Sequence, residues 1–249
     1  MVQDPDQDRR AAGTRGRMST TSAEKAARDD LESRTRVTLR PIAGPLAIGF
    51  FGLAAATIVM SGLQLGWVDA AEGKQVALCI LAFTVPLQLT ASLFGFLARD
   101  GVAATGMGLL SGIWAAVGLV TLLGKPGSTS DALGLFLLVA GIAMWAPASS
   151  ATASKLVPAL VLSTAGLRFV LTGIYQLTAS ESWENAAGVV GLVLGAFALY
   201  AAYATEYEDV LKRPLLTLGR RGKGELAVRG TYSQQIAEVA HEPGVRQQL

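Results

Sequence analysis

Residues 188–219 read GVVGLVLGAFALYAAYATEYEDVLKRPLLTLG, and they decide the fold. No charge occurs in this stretch before Glu206. A bilayer core offers the backbone no water, so an uncharged run of about 20 residues crosses it as a helix with its own hydrogen bonds closed. Gly188, Gly191, Gly195, Ala198 and Ala202 are spaced alternately three and four, which places them on one helix face. Small residues on such a face let two backbones approach where lipid supplies little drive between helices. Glu206, Glu208, Asp209, Lys212 and Arg213 then mark the exit into water.

Composition extends that reading to most of the chain. Of 249 residues, 51% are hydrophobic and 16% charged, with a mean hydropathy of +0.42. Residues 1–40 hold nine Lys/Arg and seven Asp/Glu, and residues 205–249 hold seven and six. The 164 residues between keep only five and six. A soluble domain of that size needs a polar surface, and this middle cannot supply one. The expected architecture is all-α and polytopic: a disordered cytoplasmic tail at 1–40, a six-helix transmembrane domain at 41–206, and a cytoplasmic C-terminal tail at 207–249. A net charge of +2, with acids interleaved among the bases, gives no nucleic-acid surface. The single cysteine, Cys79, lies in an apolar run and reads as an inert thiol. The first 40 residues lack the apolar core of a signal peptide; a short helix is expected around Ser22–Arg34.

The spans fall at roughly Leu46–Trp67, Gln75–Ala98, Val102–Leu123, Ala132–Ala148 and Leu156–Leu177, with a sixth from the acidic loop Glu181–Glu184 to near Ala204. Pro45 suits a helix start, and Pro86 is expected to bend the second span. The fourth span is the shortest, and Pro147–Ser154 reads as a small polar connection. Six spans put both termini on one side. With the tails inside, eighteen Lys/Arg lie on the inner side, Arg99 and Lys155 among them, against Lys74 and Lys125 outside. The positive-inside rule therefore makes both tails cytoplasmic. The continuous apolar runs exclude a β-barrel.

Enzyme chemistry has little to work with. The lone histidine, His241, lies in the C-terminal tail. No Cys, His or carboxylate cluster has metal-ligand spacing, there is no Walker sequence, and no cofactor is implied. Polar stripes inside the spans remain. Thr57, Ser61 and Gln64 share a face of span one; Thr84, Gln88 and Ser92 share one of span two; Thr164, Arg168, Thr172 and Tyr175 share one of span five. The hydroxyls suit bonds between helices. Gln88 and Arg168 differ, because an amide needs several partners and a mid-membrane charge is costly. The spans contain no Asp or Glu, so no obvious proton relay is visible.

The opening stretch also resembles the last helix and exit of the acetate uptake transporters, the succinate–acetate permease family. That family reads approximately G-x-x-G-L-x-x-G-A-x-A-x-Y and then R-x-x-L-x-x-G. Gly188, Gly191, Leu192, Gly195, Ala196, Ala198 and Tyr200 match the first part, and Arg213, Leu216 and Gly219 the second. The family opens its first span with N-P-A-P-L-G-L. Residues 42–48 keep Pro45 and Leu46 of that motif, with Ile42 at the asparagine position. Phe51 falls where the family places an aromatic of its pore constriction, and Gln88 matches a pore-lining glutamine. Trp114 meets a family tryptophan. The constriction's tyrosine position is occupied by Leu110 and its leucine position by Ala165, so the neck is wider.

Arg168, one turn further along span five, lies outside the family pattern and suits an anion. The resemblance covers roughly residues 42–219. It implies a plasma-membrane transporter or channel for small monocarboxylates, acetate first, with the dicarboxylate succinate a second candidate, and with or without a proton. It also implies a homohexamer with a pore in each subunit, an assembly the small-residue stripe of span six is suited to support. A non-transporting scaffold or sensor with partner-binding tails is the alternative from another class.

Overall fold

The computed structural model describes residues 43–211 and 213–230. The tail at 1–40, the helix expected at Ser22–Arg34 and the end of the chain with His241 lie outside the described residues. Among the described residues the fold is all-helical. Six helices are long and apolar enough to cross a membrane: α1 Leu46–Gln64, α2 Ala70–Leu97, α3 Gly101–Leu123, α4 Asp131–Ala151, α5 Leu156–Thr178 and α6 Glu181–Leu211. A short α7, Lys223–Arg229, follows.

Local sequence sets most of the ends. Asp100 accepts from Ala103 N at 3.0 Å and caps α3, and Ser130 accepts from Leu133 N at 3.3 Å and caps α4. The expected distortion of span two takes a definite form. Residues Ile80–Thr84 form a π-helical turn in which Val85 N donates to Ile80 O. Pro86 lacks an N–H and its ring crowds the preceding turn, and the widened turn accommodates both. The fourth span is longer than expected: α4 continues through Pro147 to Ala151. Its small polar residues bond the helix's final carbonyls instead of forming a loop. Ser149 and Ser150 Oγ donate to Ala146 O at 2.8 and 3.2 Å, and Thr152 Oγ1 donates to Ser149 O at 2.6 Å.

Two helix pairs pack through glycine. In α4 and α5, Gly134 faces Gly173 and Gly141 faces Gly166. A Cβ added at Gly141 would lie 2.8 Å from Gly166 O, and one at Gly166 would lie 2.7 Å from Gly141 O. The backbones touch, and only glycine permits it. In the second pair the small-residue face of α6 seats α1: Gly188 meets Leu65 and Gln64, Gly191 meets Ser61, and Gly195 meets Ile58. That stripe is therefore used inside the chain, because its residues are covered by α1, and it does not form a face for a second subunit.

The residues leading into α1 and the end of α6 meet at one end of the bundle, where Gly44 N donates to Asp209 Oδ2 at 2.5 Å. The sequence after α6 then folds back. Leu156 N and Val157 N donate to Gly219 O and Leu218 O, each at 3.1 Å, and Arg221 N donates to Ser154 O at 2.9 Å. Leu218 is buried, and Arg220 pairs with Glu208. So α6 runs past the expected boundary at 206, and residues 213–230 form a strap across the start of α5. The strap also explains the glycine at its turn. Gly219 has φ +63°, and a Cβ there would lie 2.9 Å from Leu156 Cβ.

Candidate functional site

Three inner faces converge at the centre of the bundle. Most of the polar residues on them bond between helices. Thr84 Oγ1 donates to Gly52 O at 2.9 Å, Ser92 Oγ to Ala104 O at 2.7 Å, and Thr57 Oγ1 to Gly191 O at 3.3 Å. Thr164 and Thr172 bond back within α5, to Leu160 O and Arg168 O. These hydroxyls are accounted for by packing.

Gln88 and Arg168 are not. Gln88 is fully buried, yet neither its Oε1 nor its Nε2 meets a hydrogen-bond partner in the protein. Burying an amide that way costs about 1–3 kcal/mol. Its height in the bundle follows from its neighbours on α2. Ser111 Oγ donates to Val85 O, and Ser92 Oγ donates to Ala104 O, so Gln88 lies about level with Leu110.

Arg168 is 1% exposed. Its Nη2 donates to Gln64 Oε1 at 3.2 Å and to Thr57 O at 3.5 Å. Its Cζ stands 5.1 Å from the centre of the Trp114 ring, within cation–π range. Trp114 in turn meets Phe169 edge-on, with ring centroids 5.5 Å apart. No carboxylate pairs with Arg168 among the described residues. Sequence reasoning placed Gln64 and Arg168 on separate stripes; their meeting is visible only in the fold. The signal for it was the inward face shared by Thr57, Ser61 and Gln64.

Arg168, Trp114, Phe169, Gln64 and Met60 line a cavity of about 480 Å³ that opens between the α1–α2, α3–α4 and α5–α6 connections. Lys74, Lys125, Tyr175 and Glu184 also line it. A second cavity of about 820 Å³ opens at the opposite end, bordered by Val102, Thr105, Asp100, Lys155, Pro158 and Arg220. Lys155 Nζ lies 3.5 Å from Asp100 Oδ2 there. Leu110 and Ala165, both fully buried, lie between the two cavities. They are bracketed along α3 and α5 by the Trp114–Phe169 contact on one side and the approach of Gly106 to Leu162 on the other.

Phe51 stands elsewhere. Its ring packs edge-on against Tyr203 of α6 at 5.3 Å, and it borders a shallow apolar surface groove with Ile58, Phe83 and Leu199. Phe50, one residue earlier and about 100° around the helix, is the aromatic turned fully into the core. The structure thus groups Gln88, Leu110, Ala165 and Arg168 along the bundle interior and sets Phe51 on its flank.

The site is a helical membrane bundle with two opposed cavities and a buried cation lining one of them. Residues 29–210 match the GPR1/FUN34/yaaH family, and the chain belongs to that family. The fold is similar to the structure of the bacterial acetate channel SatP, with a TM-score of 0.64 over 72% of this chain and 100% of that one, at 19% identity. No curated protein matches the chain significantly.

Proposed function

We propose that this protein carries small carboxylates across the plasma membrane, with the monocarboxylate acetate the first substrate and the dicarboxylate succinate a second candidate. The observation that carries the reading is the pair of opposed cavities separated by the short apolar band of Leu110 and Ala165, level with Gln88. A solute crossing that band loses part of its hydration, and the unpartnered Gln88 amide supplies donors and an acceptor in its place. Arg168 adds positive potential just outside the band. Family membership and the likeness to an acetate channel agree with this assignment.

The Lys/Arg asymmetry supports cytoplasmic termini, which makes the Arg168 cavity the outer vestibule. A homohexamer is proposed on family resemblance, with its contacts on faces other than the α6 stripe.

The test is radiolabelled acetate uptake into liposomes that contain only this protein, with and without an imposed pH gradient. Saturable uptake above empty liposomes is expected, and unlabelled monocarboxylates should compete. Uptake that rises with an inward proton gradient would identify coupling. No flux, together with partner capture that depends on the tails, would replace the transporter by a scaffold.

A further inference from the structure

The acceptor that holds Arg168 has its own role. Gln64 is the last residue of α1, is 7% exposed, and lines the Arg168 cavity. Its Oε1 and the Thr57 carbonyl are neutral acceptors at 3.2 and 3.5 Å, the long end of the range. They engage Nη2 alone, leaving the buried Nε without a hydrogen-bond partner and the charge uncompensated. A buried guanidinium without a counter-ion is costly, and a carboxylate on the same N–H groups supplies the missing opposite charge and can accept from the planar fork through two oxygens.

The geometry also fixes which edge an anion reaches. The Nε edge faces Gly191 of α6, where an added Cβ would lie 2.5 Å from it. The Nη2 edge meets Gln64 at the cavity wall. The Trp114 face supports the guanidinium from below and does not depend on Gln64. The chain turns immediately after Gln64, with Gly66 at φ +71°, so α1 ends at this side chain.

We propose that Gln64 is an internal stand-in for the substrate carboxylate. Its amide oxygen holds Arg168 in the empty protein, and an entering monocarboxylate anion displaces it, exchanging one acceptor on Nη2 for another. This rests on the carboxylate reading above and deepens it. The species recognised at the vestibule floor is the anion, and Gln64 sets the threshold for its binding.

The test compares thermal stability of the purified protein in acetate and in acetamide, its neutral isostere, at constant ionic strength, for the wild type and Gln64→Glu. A ligand that binds the native state raises the melting temperature with its concentration. Acetate is expected to stabilise the wild type and acetamide not to. Gln64→Glu supplies a permanent internal carboxylate, so its melting temperature without ligand should rise and its acetate affinity should fall at least tenfold. An equal response to acetamide, or a Gln64→Glu protein that responds to acetate like the wild type, overturns the proposal. If Gln64→Glu does not fold, the acetate–acetamide comparison on the wild type decides alone. Acetate flux in liposomes separates this idea from its parent. Stabilisation lost in Gln64→Glu with no wild-type flux keeps the anion site and discards transport. Wild-type flux with an unaltered Gln64→Glu discards the site and keeps transport.

Discussion

Arg168 and Arg220 carry the same guanidinium into opposite ends of one bundle, and the protein treats them differently. Arg220 is gripped by both Glu208 oxygens and by Gly224 O, beside the Lys155–Asp100 pair. Its charge is neutralised and its donors are occupied, and the result is a strap pinned to the start of α5. Arg168 is more deeply buried and has only neutral acceptors and an aromatic face. Satisfaction of charge marks the first as a clamp. Lack of it is the observation on which the proposed anion site at the second rests. The same contrast separates Gln88 from Thr84 and Ser92, its neighbours on α2: the hydroxyls close bonds to carbonyls, and the amide closes none.

The largest effect that would break this comparison is expected at Arg168. Arg168→Gln should raise the apparent KM for acetate more than tenfold, or about 1.4 kcal/mol and above, while Arg168→Lys keeps much of the flux. Membrane abundance measured beside uptake separates a lost anion site from a lost fold. If both variants lose folded protein and the remainder transports with an unchanged KM, Arg168 is a clamp like Arg220.

An intermediate effect is expected at Gln88. Gln88→Leu should lower acetate flux a few-fold to tenfold, the range of one hydrogen-bonded group at about 0.5–1.5 kcal/mol. Its thermal stability should hold or rise, because two buried atoms without protein partners disappear. Opposite signs in the two measurements sharpen the contrast with Ser92, where removing the hydroxyl removes a bond between α2 and α3. Unchanged flux would take Gln88 out of the pathway.

The smallest effect belongs to Arg220. Arg220→Gln should cost about 1 kcal/mol of stability, as expected for a partly exposed ion pair, and should change flux less than twofold. The check is a melting curve alongside acetate uptake. A flux loss comparable to that of Arg168→Gln would show that the strap takes part in permeation and would end the distinction.

The elements were legible in the sequence to different degrees. The spans were, because each is an apolar run, broken by a charge only at Arg168, and closed by charges or turn residues, as Arg99-Asp100-Gly101 closes span two. The π-turn before Pro86 was legible as a bend but not in its form, since a missing N–H can be absorbed in several ways. The glycine contacts between α4 and α5 went unread. Gly134, Gly141, Gly166 and Gly173 look like four ordinary helix residues until two antiparallel helices bring them opposite one another. Within the site, Gln88 and Arg168 stood out because a polar group in an apolar run is costly wherever it points. Phe51 was assigned by register alone, and one residue of helix rotates a side chain by about 100°, enough to exchange core for flank.

By itself the sequence determined that the chain crosses a membrane six times as helices, because hydrocarbon leaves the backbone no other way to close its hydrogen bonds. It also determined which residues are too polar to be there without a reason. The tertiary structure alone decided what meets what. Gln64 and Arg168 are 104 positions apart, and their bond depends on the rotation and depth of α1 against α5. Those are set by Gly191 and Gly195 seating α1 on α6 and by the glycine contacts of α4 and α5. Such distances arise from the packing of whole helices, and hydrophobic pattern does not encode them.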